Sequence, residues 1–245
     1  MTNIKTVLFD LGGTIIESTG PPKAYETISR ILCSHGVNRS LRQIAAAHTK
    51  AGNMDATQLA VLGREYWVRS NLIMIQELGV SKNALDLARA IDKEWYDYVE
   101  LTMLPDVLQT LHAFHDRGFK LGIISNGLKE ELDLVLRKIG LENFFDIVVG
   151  IDTFRSSKPD KSIFKSTVKK LEVLPHEALF VGDSVEKDYE GAHSAGLNAL
   201  LIDREGKYTN TDVETIRSLS ELLLYIQKQC HNSKSQRLFF PGKQF

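Results

Sequence analysis

Two kinds of apolar pattern alternate along the chain. Five short runs, at Thr6–Phe9, Leu121–Ile124, Asp146–Val149, Leu179–Val181 and Ala199–Ile202, are nearly continuous in Val, Ile, Leu and Phe. Unbroken apolar runs of this length read as strands buried on both faces, because a strand with one wet face would alternate. Between the last four runs, apolar residues recur at helical spacing over Glu130–Ile139, Ser162–Leu171 and Lys187–Ala195. Strands joined by helices predict a parallel sheet, since parallel neighbours need crossover connections. Gly118, Gly140 and Gly196 stand where helix C-terminal caps belong, shortly before the next strand.

One stretch departs from this rhythm. From about Thr19 to Leu104 the pattern is helical throughout, as in Tyr25, Ile28, Ile31 and Leu32, then Leu59, Leu62, Tyr66 and Trp67, then Leu87, Ile91, Trp95 and Tyr98. Pro21-Pro22 and Leu104-Pro105 bracket the block, as prolines often do at element edges. The expected architecture is α/β: a five-stranded parallel core built from residues 1–18 and 104–230, a helical insertion at 19–103, and a tail at 231–245. The tail, rich in Lys, Ser and Gln around Leu238, Phe239 and Phe240, reads either as disordered or as a docking arm.

Composition narrows the setting. Of 245 residues 43% are hydrophobic and 25% charged, an ordinary globular profile, and a formal net charge of -1 gives no support for nucleic-acid binding. The two cysteines, Cys33 and Cys230, lie far apart and outside any CxxC or Cys/His cluster, which points to a reducing, cytoplasmic setting without disulfide or zinc. No apolar run approaches the ~18–20 residues needed to cross a bilayer, so no membrane role is expected.

The candidate chemistry lies just after the strands, where open parallel sheets bind ligands. The first strand ends in Asp10, followed by Gly12-Gly13 and Thr14; the second in Ser125-Asn126-Gly127; the fourth in Gly182-Asp183-Ser184, with Asp188 a turn later. A loop adds Ser157-Lys158-Pro159. Each group has a part in phosphoryl transfer. Asp10 can attack phosphorus and form an acyl phosphate. Asp10 and Asp183 can share Mg²⁺, a hard cation that prefers oxygen ligands. Ser125 with the amides of Asn126 and Gly127 can hold phosphate oxygens, and Lys158 can offset their charge. Gly12 and Gly13 permit a tight turn beside the ligand.

In this order the four segments FDLGGT, ISNG, SKPDKSIF and VGDSVEKD resemble the four motifs of the haloacid dehalogenase superfamily, and the likeness covers the whole core. The helical insertion is similar to the cap of the subgroup that closes over small substrates. The resemblance implies a Rossmann-like sheet, Mg²⁺ as cofactor, and usually hydrolysis of a small phosphomonoester. It further implies Asp10 as nucleophile, and Ser125, Asn126, Gly127, Gly13 and Lys158 around the phosphate. Asp10, the Gly12 carbonyl and Asp183 would hold metal, with Asp188 and Thr14 in support. No protein partner is implied.

Gly12 departs from that pattern. Phosphatases of this superfamily usually carry there a second aspartate, which protonates the leaving oxygen and then helps water attack the phosphoenzyme. Its loss spares metal binding but costs roughly 10²–10⁴ in rate if nothing substitutes. Three readings stay open. Another acid, such as Glu17 or Glu26, or a water supplies the proton. Alternatively the leaving group needs none, or the phosphoenzyme is meant to persist, as in the similar P-type ATPases. In the third, the domain binds phosphate and metal as an interaction module without turnover. The superfamily's dehalogenases also lack the acid but work without metal, so Asp183 speaks against them. A phosphonate hydrolase would need a Schiff-base lysine in the cap, and Lys23 reads instead as a surface charge. His112 and His115 read as helix-surface residues, Tyr66, Trp67, Trp95 and Tyr98 as cap core, and Arg30, Arg39, Arg42, Arg64 and Arg69 as mostly solvated.

Overall fold

The structure is a computed structural model that describes residues 4–52, 55–208 and 212–227. The tail at 231–245 and Cys230 lie outside the described residues. Strands β1 (Thr6–Phe9), β2 (Lys120–Ile124), β3 (Ile147–Val149), β4 (Ala178–Gly182) and β5 (Asn198–Ile202) form where the apolar runs predict them. A two-residue strand, β6 (Thr215–Ile216), joins the edge, so the sheet has six strands rather than the expected five, in the order β3-β2-β1-β4-β5-β6. Every pairing is parallel. So short a strand leaves no readable periodicity, and its pairing with Leu201 and Ile202 is what defines it.

The central strand shows why unbroken apolar runs were needed. All four residues of β1 are buried. Val7 and Phe9 enter one cluster with Val107, Leu111 and Phe114 of α6 (Val107–His115) and Leu132, Val135 and Leu136 of α7 (Lys129–Lys138). Leu8 points to the other face, into Ile163, Phe164 and Val168 of α8 (Lys161–Lys170). β1 pairs with β2 on one side and with β4 on the other, so chain order runs outward in both directions from it. The crevice beyond its carboxyl end is therefore the switch point at which doubly wound sheets bind ligands.

Among the described residues, five helices occupy the insertion: α1 (Lys23–Ser34), α2 (Leu41–Ala51), α3 (Ala56–Leu62), α4 (Arg64–Glu77) and α5 (Ala84–Tyr98). Ile28, Ile31 and Leu32 of α1 meet Ile44, Ile75, Leu87 and Ile91 in a core separate from those of the sheet. Two connectors tie this cap to the sheet and pair with each other. Glu17 N donates to Thr102 O at 2.9 Å, and Leu104 N to Ile15 O at 3.0 Å. The cap also docks through Leu59, which packs with Leu128 and Ile151 of the core. Among the described residues no helix is long and apolar enough to cross a membrane.

One helical expectation changes. The segment expected as a single helix over Lys187–Ala195 is a π-helical turn, Val185–Glu190, followed by α9 (Gly191–Ser194). The wider turn accompanies an inward Asp188, whose Oδ2 accepts from Ser184 N at 3.0 Å. Such turns recur at functional sites, where one side chain must be re-aimed.

Candidate active site

Three strand ends and one loop bring the charges together. Asp10 follows β1, and its N–H donates to Val181 O at 2.9 Å, extending the sheet by one residue. Lys158 arrives from the loop between β3 and α8. Its Nζ donates to Asp10 Oδ1 at 2.5 Å and to Asp188 Oδ1 at 2.6 Å. All three side chains are buried, with residue exposures of 8% for Asp10, 4% for Lys158 and 2% for Asp188. A long flexible ammonium needs a fixed backbone to be held there, and Asn126 provides it. The Asn126 amide donates through Nδ2 to Lys158 O at 2.9 Å and accepts at Oδ1 from Lys158 N at 2.8 Å. The Asn126 side chain is thus committed to positioning Lys158.

The electrostatics leave a deficit of positive charge. Asp10, Asp183 and Asp188 offer oxygens that lie within 4.8 Å of one another. Among the described residues Lys158 is the ammonium bonded to Asp10 and Asp188, while Lys187 acts on Asp183 without a bond to it. Burial pushes the Asp10 carboxyl up to about 6; Lys158 opposes this, and the neighbouring Asp188 and Asp183 add to it. Burial likewise raises Asp183, with Asp188 reinforcing the shift. For Lys158, burial favours the neutral amine, but the two carboxylates outweigh it and hold the group protonated. Both oxygens of Asp188 are engaged, Oδ1 by Lys158 and Oδ2 by Ser184 N. The second oxygen of Asp10 and the Asp183 carboxylate, partly desolvated although its residue keeps a solvent-exposed side, remain for a divalent cation, a hard oxygen donor set of the kind Mg²⁺ takes.

The glycines of the two carboxylate loops differ sharply in what they require. A Cβ on Gly13 would lie 2.1 Å from Asp183 Oδ2, and its φ of +80° is itself a left-handed conformation. A Cβ on Gly182 would lie 2.4 Å from Asp188 Cγ. Both positions exclude a side chain so that a carboxylate can sit against the backbone. Gly12 is unlike them, since nothing lies within 4 Å of a Cβ built there. A Cβ at position 12 would meet no neighbour, so the close approaches that require glycine at positions 13 and 182 are absent here.

A cavity of about 640 Å³ opens between sheet and cap; Gly12, Ser125 and Gly127 border it, while Asp10, Lys158, Asp183 and Asp188 do not line it. The backbone N–H of Ser125 is occupied by Val149 O at 3.0 Å, which leaves its hydroxyl as the group offered to a ligand. Thr14 has a different place. Its carbonyl accepts from Arg204 Nη2 at 3.2 Å, and its buried hydroxyl finds no partner among the described residues. Arg204 also pairs with Asp106, so Thr14 anchors the loop from behind.

Several cavity residues were not legible as such. Tyr66, Trp67 and Trp95, expected in the cap core, border the cavity, as do Tyr96, Asp92, Glu131 and Lys187. Trp95 and Tyr98 do also pack against the cap core. Lys187 had a signal in its place between Asp183 and Asp188; Glu131 and Asp92 had none, because each reaches the cavity only through the docking of cap on core. Arg64 turns to Asp92, with Nε 3.1 Å from Oδ2. Glu17 and Glu26 are exposed, Glu17 pairs with Lys23, and none of the three borders the cavity. His112 and His115 are exposed on α6, as expected.

The chain is similar to known proteins in sequence and fold. The family model described as haloacid dehalogenase-like hydrolase matches residues 4–196. The chain is 29% identical over 215 residues to a glyceraldehyde 3-phosphate phosphatase of Methanopyrus kandleri, covering 85% of this chain and 88% of that one. A haloacid dehalogenase-type phosphatase from Thermococcus onnurineus superimposes with a TM-score of 0.61 at 28% identity, over 91% of this chain and 98% of that one. A 2-haloacid dehalogenase from Pseudomonas syringae superimposes with a TM-score of 0.73, over 92% and 99% of the two chains, but at 22% identity that likeness concerns the fold alone.

Proposed function

The chain belongs to the haloacid dehalogenase-like hydrolase family, and from that premise we propose that it hydrolyses a small phosphomonoester, with Mg²⁺, through an acyl phosphate on Asp10. The observation that carries this is the buried Lys158 held between Asp10 and Asp188 beside the oxygens of Asp183, with the chain neighbours Leu11, Gly12 and Lys187, and Ser125, bordering a cavity.

In this reading Lys158 fixes the Asp10 carboxylate through Oδ1 and meets the charge of the phosphoryl oxygens. Ser125 and the amides of Asn126 and Gly127 hold those oxygens at the entrance to α7, beside Gly13. Asp10 attacks phosphorus, the bond to the leaving oxygen breaks, and water then cleaves the acyl phosphate to return the carboxylate. Asp10, Asp183 and the Gly12 carbonyl would hold Mg²⁺, which when bound offsets phosphoryl charge and orients the group for in-line attack. Asp188 keeps Lys158 in place. The cap, residues 19–103, covers the leaving group and excludes water.

A second reading, hydrolysis of a carbon–halogen bond, is favoured by Gly12, since a halide leaves without a proton. Asp183 stands against it. Phosphate release from a panel of phosphomonoesters, run beside halide release from 2-haloacids, separates the two. The expected result is phosphate release that requires Mg²⁺ and stops with chelator. Halide release that ignores chelator establishes the second reading, and binding of phosphate without either product establishes an interaction module.

A further inference from the structure

Gly12 leaves the site without its expected acid, although a Cβ there would meet nothing within 4 Å. Two carboxyl groups border the cavity among the described residues, Asp92 from the cap and Glu131 from the first turn of α7. Asp92 is already committed, with Arg64 Nη2 3.0 Å from its Oδ2. Glu131 is not paired in that way. Its hydrogen bond is a long one, 3.3 Å from Leu128 N, and Arg64 reaches instead to Glu130 at 3.8 Å. Glu131 Oε2 lies 3.9 Å from a Cβ built on Gly127, the residue two beyond Ser125, and accepts from the N–H of Leu128, the N-cap residue, which places the carboxyl at the entrance to α7.

The groups around it set its protonation. Arg64 comes from α4, Asp92 and the Tyr96 phenol from α5, and Glu130 from its own helix; Lys187 and His48 border the same cavity. Burial pushes Glu131 up to about 7; the Leu128 N–H and Arg64 oppose this, and Asp92 and Glu130 add to it. A carboxyl group poised there both gives and takes a proton near neutral pH.

We infer that Glu131 performs the proton transfers for which Gly12 has no side chain. As Asp10 bonds to phosphorus and the bond to the leaving oxygen breaks, the Glu131 proton passes to that oxygen, which departs as an alcohol. Glu131, now a carboxylate, takes a proton from the water that bonds to phosphorus while the bond to Asp10 breaks. Phosphate is released, and both carboxyl groups return to their starting states. This rests on the phosphatase reading above.

Glu131→Gln tests it, because the amide oxygen keeps the bond from Leu128 N while the acid is lost. The assay is stopped-flow hydrolysis of p-nitrophenyl phosphate, whose leaving group needs no proton, beside steady-state hydrolysis of an alkyl phosphate, each with Mg²⁺. In Glu131→Gln a burst of about one equivalent of nitrophenolate is retained while steady-state turnover falls roughly 10²–10³-fold. Alkyl phosphate turnover falls at least as far, and its alkaline limb near pH 7 disappears. Gly12→Asp in the same chain restores turnover. Unchanged turnover in Glu131→Gln, or loss of burst and steady state together, overturns the inference while leaving the phosphatase reading standing. No turnover of either substrate by the natural protein overturns both.

Discussion

Asp10→Asn is expected to abolish turnover, with a loss of at least ~10⁴-fold and no burst of nitrophenolate. The substitution keeps the shape of the side chain and removes only the nucleophile. An amide cannot form the acyl phosphate, and it also gives up the charge that Lys158 and a cation share. The fold should tolerate it. Burial already pushes the Asp10 carboxyl up to about 6, so a neutral group relieves part of the crowding among the three carboxylates. The check is a pairing of activity with urea unfolding. Lost activity at unchanged stability is the expected pattern; retained activity removes Asp10 from the chemistry.

Lys158→Met should cost both activity and stability. Methionine matches the length of the lysine stem but leaves Asp10 and Asp188 facing each other, buried, without their shared cation. Breaking a buried ion pair from one side typically costs about 3–5 kcal/mol, because the remaining charge is stranded. Protonation of a carboxyl lowers that cost, so the loss should shrink as pH falls and Asp10, whose carboxyl burial raises to about 6, takes up its proton. Turnover should fall with it, since the same ammonium is assigned to the phosphoryl oxygens. Unfolding midpoints at two pH values check the first part and phosphate release the second. A fully stable Lys158→Met protein would mean that the ion pairs contribute little to the fold.

The contrast between these residues and Glu131 shows where a sequence is informative. Asp10, Ser125, Lys158 and Asp183 were visible because each follows a strand or precedes a helix that hydrophobic pattern marks, and parallel topology places all such points on one edge. Their chemistry is local to the strand end, so knowing the strand is enough. Asp188 needed more, because its inward aim depends on a π-helical turn that an apolar spacing consistent with an ordinary helix conceals. The cavity wall needed still more. Asp92 and Glu131 are 39 positions apart and meet only because Leu59 seats the cap on Leu128 and Ile151. No periodicity reports that docking. For the same reason the aromatic residues of the cap read as core, since helical spacing cannot distinguish a side chain facing its own bundle from one facing a cavity. At Gly12 the missing carboxylate was evident from the resemblance to the family's first motif. The open space where its Cβ would lie was not.

The most direct measurement is acid-quench mass spectrometry after mixing the protein with Mg²⁺ and p-nitrophenyl phosphate for less than one turnover. The account predicts a single phosphoryl group on the peptide that carries Asp10, absent in Asp10→Asn and accumulating in Glu131→Gln. Phosphate release with no adduct on that peptide, or an adduct on another residue, would contradict it.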